Sequence, residues 1–137
     1  MKKNNLQFLV LLLFIFINIF LYFYSKSREL KLNNNYTIVL CKIIDVDDFY
    51  KANGLNFKFI FKFNNKSYIE KERLLVIKNK VLVKKICLNK NVILVIDTTD
   101  VSNFYLPIKE DDFKKFDIKI PDSLKVFYKD LEKISLN

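Results

Sequence analysis

The chain has 137 residues, the size of one ordinary domain, and it is basic, with 24 Lys and Arg against 15 Asp and Glu. It contains no His, no Trp and two Cys, which excludes a Ser-His-Asp triad, a Cys-His dyad and the common zinc sites. An enzyme would be left with carboxylate or lysine chemistry, so we expect no catalytic residue, cofactor, metal or small-molecule substrate. Hydrophobic residues make up 51% of the chain and one residue is Gly, which favours a folded core over disorder.

The N-terminal segment carries the clearest signal. Leu6–Tyr24 has no charge over 19 residues. A helix of that length is roughly 28 Å long, close to the hydrocarbon thickness of a bilayer. Lys2 and Lys3 precede the segment, and Tyr22 and Tyr24 end it, where aromatic rings favour the membrane interface. The pattern predicts an uncleaved, single-pass signal-anchor.

Two other structures could give the same apolar run. A cleaved signal peptide needs small side chains before the cut, whereas Phe23 and Tyr24 are bulky. A buried helix of a water-soluble protein would need cover on every side, more than so small a domain provides. The flanking charges are nearly balanced, and we expect the N-terminus in the cytoplasm and the domain outside, as in most N-terminal signal-anchors.

The rest of the chain has the pattern of a small β domain. We assign residues 1–30 to the anchor and its flanks, residues 31–35 to a polar connector, and residues 36–137 to the domain. The first strand is predicted at Tyr36–Val46, which is rich in β-branched residues.

The strongest strand signal lies in Leu55–Phe63. Leucine or phenylalanine occupies every second position, so one side of the strand should face a core and the other side water. This alternation makes Phe59 a core residue and Lys58 a surface residue. Asn64-Asn65-Lys66 then predicts a tight hairpin, because Asn tolerates positive φ, and Ser67–Glu72 would be the return strand.

The segments after the hairpin are less uniform. Arg73–Leu88 is ambiguous, because its two aliphatic runs could form a second hairpin around an Asn-Lys pair. Val92–Ile96 is a continuous apolar run, typical of a strand covered on both faces. Asn103–Ile108 predicts a last short strand with a Pro near its end.

The C-terminal residues have helical periodicity. Pro121-Asp122-Ser123 starts a helix well, and four apolar residues then recur at steps of three, four and three. These residues are Leu124, Phe127, Leu131 and Ile134. The predicted fold class is therefore mainly β, a small antiparallel barrel or sandwich, with an N-terminal transmembrane helix and a C-terminal amphipathic helix over about residues 121–134.

This order of segments resembles a loose group of short bacterial membrane-anchored proteins of unknown function. The similar parts are Leu6–Tyr24, Tyr36–Val46, Phe57–Tyr68 and Val92–Ile108. They correspond to one span, one strand, an aromatic-alternating strand with its hairpin, and a final strand pair. The resemblance implies a small β-barrel or β-sandwich and no known catalytic residues.

Four lysines are the candidate binding residues. Residues 42–90 contain 12 basic and 5 acidic side chains, and Lys58, Lys62, Lys66 and Lys71 could form a basic surface there. Such a surface could bind phosphates, anionic lipid or nucleic acid, although a solvated lysine face is the simpler interpretation. Nucleic acid suits it least, because the Phe residues alternate away from the lysines.

The two cysteines allow two interpretations. Cys41 and Cys87 fall in segments expected to be β, and in an oxidising compartment they could form a disulfide worth about 2–4 kcal/mol. Their apolar neighbours favour two buried free thiols instead.

These features together favour a membrane-tethered, non-enzymatic interaction domain that binds an unknown protein partner. An immunity-type protein directed against a toxin and an envelope-associated protein are specific forms of that function. The alternative is a basic β-sheet module that binds anionic lipid or nucleic acid, which salt-dependent retention on polyanions would reveal.

Overall fold

The computed structural model describes residues 2–49, 54–75 and 78–136. In chain order the elements are α1 (Lys2–Asn34), β1 (Tyr36–Phe49), β2 (Gly54–Phe63), β3 (Lys66–Leu75), α2 (Lys80–Cys87), β4 (Asn91–Asp97), β5 (Phe104–Tyr105), α3 (Glu110–Lys115) and α4 (Asp122–Leu136). The predicted fold class, mainly β with a long N-terminal helix and a C-terminal helix, is confirmed.

α1 is longer than the apolar segment that predicted it. The helix continues without a break through Asn34, so four of the five residues expected to form a polar connector are its last turn. By length and composition α1 could cross a membrane: its apolar part begins at Leu6, mean hydropathy reaches 2.6 over 18 residues, and none of that window is buried. It is the one such helix in the described part of the chain.

The five strands form one antiparallel sheet in the order β3-β2-β1-β4-β5, curled into a half-barrel. β2 and β3 are joined by a two-residue turn in which Asn64 and Asn65 have φ values of 49° and 61°. Both angles are positive, as a tight hairpin of this kind requires and as Asn tolerates. The predicted hairpin is therefore confirmed, and β3 is left at one edge of the sheet.

The phenylalanines of β2 form the centre of the core. Leu55, Phe57, Phe59 and Phe61 are all at most 3% exposed, as their alternation predicts. The ring of Phe59 lies 5.4 Å from that of Phe104 on β5, so the curled sheet brings two distant strands into contact. The concave side of the half-barrel is therefore filled by side chains.

β4 is covered on both faces, as its continuous apolar run predicts. Its residues from Val92 to Ile96 are at most 2% exposed. β5 pairs only with Val95 and Ile96, so the edge of β4 is uncovered near Ile93. There the Ile93 N–H donates to the Tyr128 hydroxyl of α4 at 2.7 Å, which satisfies a backbone group that would otherwise be buried without a partner.

The second hairpin considered for residues 73–88 is wrong. β3 extends to Leu75, and α2 occupies the second aliphatic run, so Cys87 lies on a helix and not on a strand. The Asn79 side chain accepts a hydrogen bond from the Leu82 N–H at 3.0 Å and caps the helix. Val83 and Cys87, four residues apart, are the buried face. Residues 76 and 77 lie outside the described part of the chain.

The last strand and the tail follow the prediction in part. β5 contains two residues, fewer than the six expected. α4 forms where a helix was predicted, and its apolar stripe packs against the core together with Tyr128, which the spacing argument did not include. α4 thus closes the end of the half-barrel beside α2.

Candidate interaction surfaces of the half-barrel

A polar network fixes the end of α1 to the loop between β4 and β5. Arg28 donates from Nε to Asn103 Oδ1 at 3.2 Å and from Nη2 to the Ser102 carbonyl oxygen at 2.8 Å. The Asn103 amide donates in turn to the Arg28 carbonyl oxygen at 2.8 Å and to Asp97 Oδ2 at 3.1 Å. Because Asn103 is buried, breaking these bonds would leave polar groups unsatisfied, so α1 is held in one position.

Apolar contact holds the same turns of α1. Leu32 is 5% exposed and packs with Val95 and Phe116 on the outer side of β4. Lys115 also reaches Glu29 at 2.8 Å, but this pair is exposed and such pairs contribute little. Burial of Leu32 and the Asn103 network therefore determine where α1 sits.

Asp97 is fully buried and ionised. Burial alone would raise the pKa of its carboxyl group, but hydrogen bonds from Thr99 and Asn103 outweigh that effect and the pKa is lowered. Thr99 donates from its backbone N–H at 2.8 Å and from its hydroxyl at 2.6 Å. Asp97 therefore shapes the loop that receives Arg28 and is not a proton donor.

The open side of the half-barrel, between β3 and β5, forms a cleft with the end of α1. We call this feature, of about 630 Å³, the mouth cleft. α1 contributes Tyr24 and Arg28, β3 contributes Glu70 and Glu72, and the β5 side contributes Phe104. It is the concave surface in which the apolar helix and the sheet meet.

Glu70 and Glu72 lie on the inner face of β3, opposite Phe59 and Phe57. Burial raises the pKa of Glu72, although the Arg73 N–H donates to its Oε1 at 3.1 Å. The two carboxylates line the mouth cleft on the β3 side, and the basic side chains of Arg28 and Lys115 lie in the rest of its lining.

The structure divides the four predicted lysines between two faces. Lys58 pairs with Lys71 across β2 and β3, and Lys62 lies on the same side of β2. Lys66 pairs with Phe63 and belongs to the opposite side, at the rim of the hairpin. Three of the four lysines therefore form one basic surface, and Lys66 does not.

That surface extends over three strands and is here called the outer face. Its residues are Leu40, Lys42, Asp45, Asp47, Asn56, Lys58, Ile60, Lys62, Ser67, Ile69, Lys71 and Arg73. Five of these side chains are basic and two are acidic, so the face is positive. Ile69 and Leu40 are 55% and 62% exposed among the charged residues.

Lys42 and Arg73 are members of the outer face that sequence reasoning missed. Lys42 lies beside Ile60, and Arg73 lies beside Asn56. The guanidinium group of Arg73 covers the ring of Phe49 at 3.6 Å. A strand pairing that placed β1 next to β2 would have identified Lys42.

Tyr105 and Asp112 form a structural side-chain pair. Burial, and then a 2.6 Å hydrogen bond to Asp112, raises the pKa of the Tyr105 hydroxyl. Asp112 also accepts from the backbone N–H groups of Ile108 and Lys109, which caps α3. The pair therefore joins β5 to α3.

Cys41 and Cys87 are both buried free thiols. Burial raises the pKa of each thiol to about 12. Neutral, inaccessible thiols of this kind behave as small apolar core residues.

Within the described residues, no group of three His, Cys, Asp or Glu side chains could hold a metal ion. Comparisons of the chain with family models, with curated proteins and with solved structures found no match.

Proposed function

We propose that this protein is a single-pass membrane protein, with its N-terminus in the cytoplasm, whose half-barrel binds a protein partner at the membrane surface without catalysis. The docking of α1 by Arg28 and Leu32 carries this proposal. A domain on a loose linker could take any orientation, whereas a docked domain presents the same surfaces to its surroundings. The proposal includes that the protein belongs to the loose group of short bacterial membrane-anchored proteins that its order of segments resembles.

The mouth cleft is the partner site in this proposal. β3 is an edge strand, and the backbone groups along its free side can pair with an added strand. The carboxylates of Glu70 and Glu72 face inward beside that edge. They suit an extended partner segment that carries a basic side chain. Immunity-type and envelope-associated roles are two forms of this function, and they differ in the identity of the partner.

Fractionation of cells tests the tether. The full chain should stay with membranes after a carbonate wash and keep its N-terminus, because Leu6–Tyr24 carries no charge and lacks small residues near its end. A mature chain that begins near Lys26 would contradict a retained span.

Photocrosslinking in intact cells tests the partner site. A photoreactive residue at Glu70 should give one discrete adduct, whereas the same residue at Val126, which is 70% exposed on α4, should give none. Glu72→Lys should weaken the Glu70 adduct, because it reverses a charge on the cleft wall. Membrane-inserted protein that gives no adduct from Glu70, or equal adducts from both positions, would contradict this site.

A further inference from the structure

The outer face combines lysines with exposed aliphatic residues. Lys58 and Lys71 are cross-strand neighbours, and Ile69 lies two residues from Lys71 on the same side of β3. None of Lys58, Lys62 and Lys71 forms an ion pair with a carboxylate in the described part of the chain, although Asp45 lies opposite Lys58. A surface that carries both lysine ammonium groups and aliphatic side chains suits the boundary between lipid headgroups and acyl chains.

The position of α1 brings Lys71 of the outer face close to the end of the apolar segment. Tyr24 ends the apolar segment, and it lines the mouth cleft together with Lys71. Headgroups occupy about 5–8 Å beyond the hydrocarbon core on each side of a bilayer. If α1 spans the membrane, Lys71 therefore lies near the end of the domain that is next to the membrane, and Lys58 on β2 is its cross-strand neighbour.

We propose that the outer face binds the anionic headgroups of the same bilayer through Lys58, Lys62 and Lys71, with Ile69 at the acyl boundary. This inference depends on the proposed membrane tether. The outer face rests on lipid, and the mouth cleft stays available to a partner. The docked α1 keeps the outer face close to the headgroups, so each lysine acts at high effective concentration.

The composition of the face favours lipid over nucleic acid. Single-strand binders stack bases on exposed aromatic rings. The outward-facing positions of β2 and β3 carry lysine, arginine, asparagine, serine and isoleucine, while the Phe rings of β2 face the core. The guanidinium group of Arg73 covers one face of the Phe49 ring at the end of β1.

Tryptophan fluorescence in bilayers tests the inference, because the chain has no Trp of its own. The full chain with Ile69→Trp is reconstituted in neutral vesicles and in vesicles with phosphatidylserine, both carrying a headgroup quencher. Val126→Trp is the matched control on α4. Flotation of the vesicles first verifies that the protein is inserted, so a failed tether is recognised separately.

For Ile69→Trp we expect quenching about threefold or more stronger in anionic than in neutral vesicles, falling toward equality in 1 M salt, where charges are screened beyond about 3 Å. Val126→Trp should show no such difference. Lys58→Glu with Lys71→Glu should abolish the effect, and the circular dichroism spectrum verifies that this variant is folded. Equal quenching in both vesicles by inserted protein would overturn the inference. The inference would also be overturned if a single-stranded oligonucleotide protected the Trp from the quencher while the two kinds of vesicle gave equal quenching.

Discussion

Replacement of Phe59 by Ala should unfold the half-barrel at much lower denaturant concentration. Phe59 is 0% exposed, and its ring contacts those of Phe61 and Phe104 at centroid distances of 6.4 and 5.4 Å. A buried Phe removes about 150–200 Å² from water, worth about 4–5 kcal/mol at about 25 cal/mol per Å². Because part of that area stays buried with Ala, we expect a loss of about 3–5 kcal/mol in the free energy of unfolding.

Lys58 supplies the matched control. It precedes Phe59 in β2 but faces outward, so Lys58→Ala should change stability by less than about 0.5 kcal/mol. Urea unfolding of the full chain in mild detergent, followed by near-UV circular dichroism, measures both variants. With a slope of about 1–2 kcal/mol per M, the midpoint for Phe59→Ala should fall by about 1.5 M or more. Equal shifts for the two variants would show that the register of β2 is wrong.

Three further predictions follow from buried groups. Tyr128→Phe removes the acceptor of the Ile93 N–H and should cost about 1–3 kcal/mol in the same urea assay, whereas an unchanged midpoint would mean that this bond is not formed. Burial raises the pKa of Cys41 and Cys87 to about 12, so both thiols should react with iodoacetamide at least about 100-fold more slowly in the folded than in the unfolded chain at pH 8. A mass two daltons lower before reduction would instead reveal a disulfide. The pKa of Asp97 is lowered on folding, so its contribution to stability is complete above its ordinary pKa near 4 and is lost as the pH falls through the lower folded value. Asp97→Asn should therefore flatten the loss of stability in that acid range, and an unchanged acid profile would exclude this role.

The structure of the half-barrel could be predicted from the sequence where the apolar residues repeat with a single clear period. From Leu55 to Phe63 a leucine or phenylalanine occupies every second position, which is the pattern of a strand with one buried face, so β2 and its hairpin were assigned correctly. Val81 to Val83 is a short aliphatic run that suits either a strand or a helix. The cap at Asn79 and the spacing of Val83 and Cys87 were the signals that favoured α2.

The candidate surfaces depended on contacts that the sequence could not supply. Lys66 was grouped with Lys62, but the two-residue turn pairs Lys62 with Ser67, so the outward side passes to Ser67. Arg28 fell in the flank of the predicted anchor, and Leu32 fell in the predicted polar connector. In the structure both residues lie on one side of α1, four residues apart, and that side faces the domain. The contact between Arg28 and Asn103 depends on the folded loop, so the sequence alone could not predict it.

We expect α1 and the half-barrel to move as one rigid unit when the full chain is inserted in a bilayer. Hydrogen exchange of the full chain in nanodiscs measures this directly, at the amides of Arg28 to Asn34. We predict exchange as slow as in β4, and faster exchange there when Leu32→Ser removes the buried contact. Exchange at the random-coil rate in the unmodified chain would show a loose connector and would contradict the docked helix.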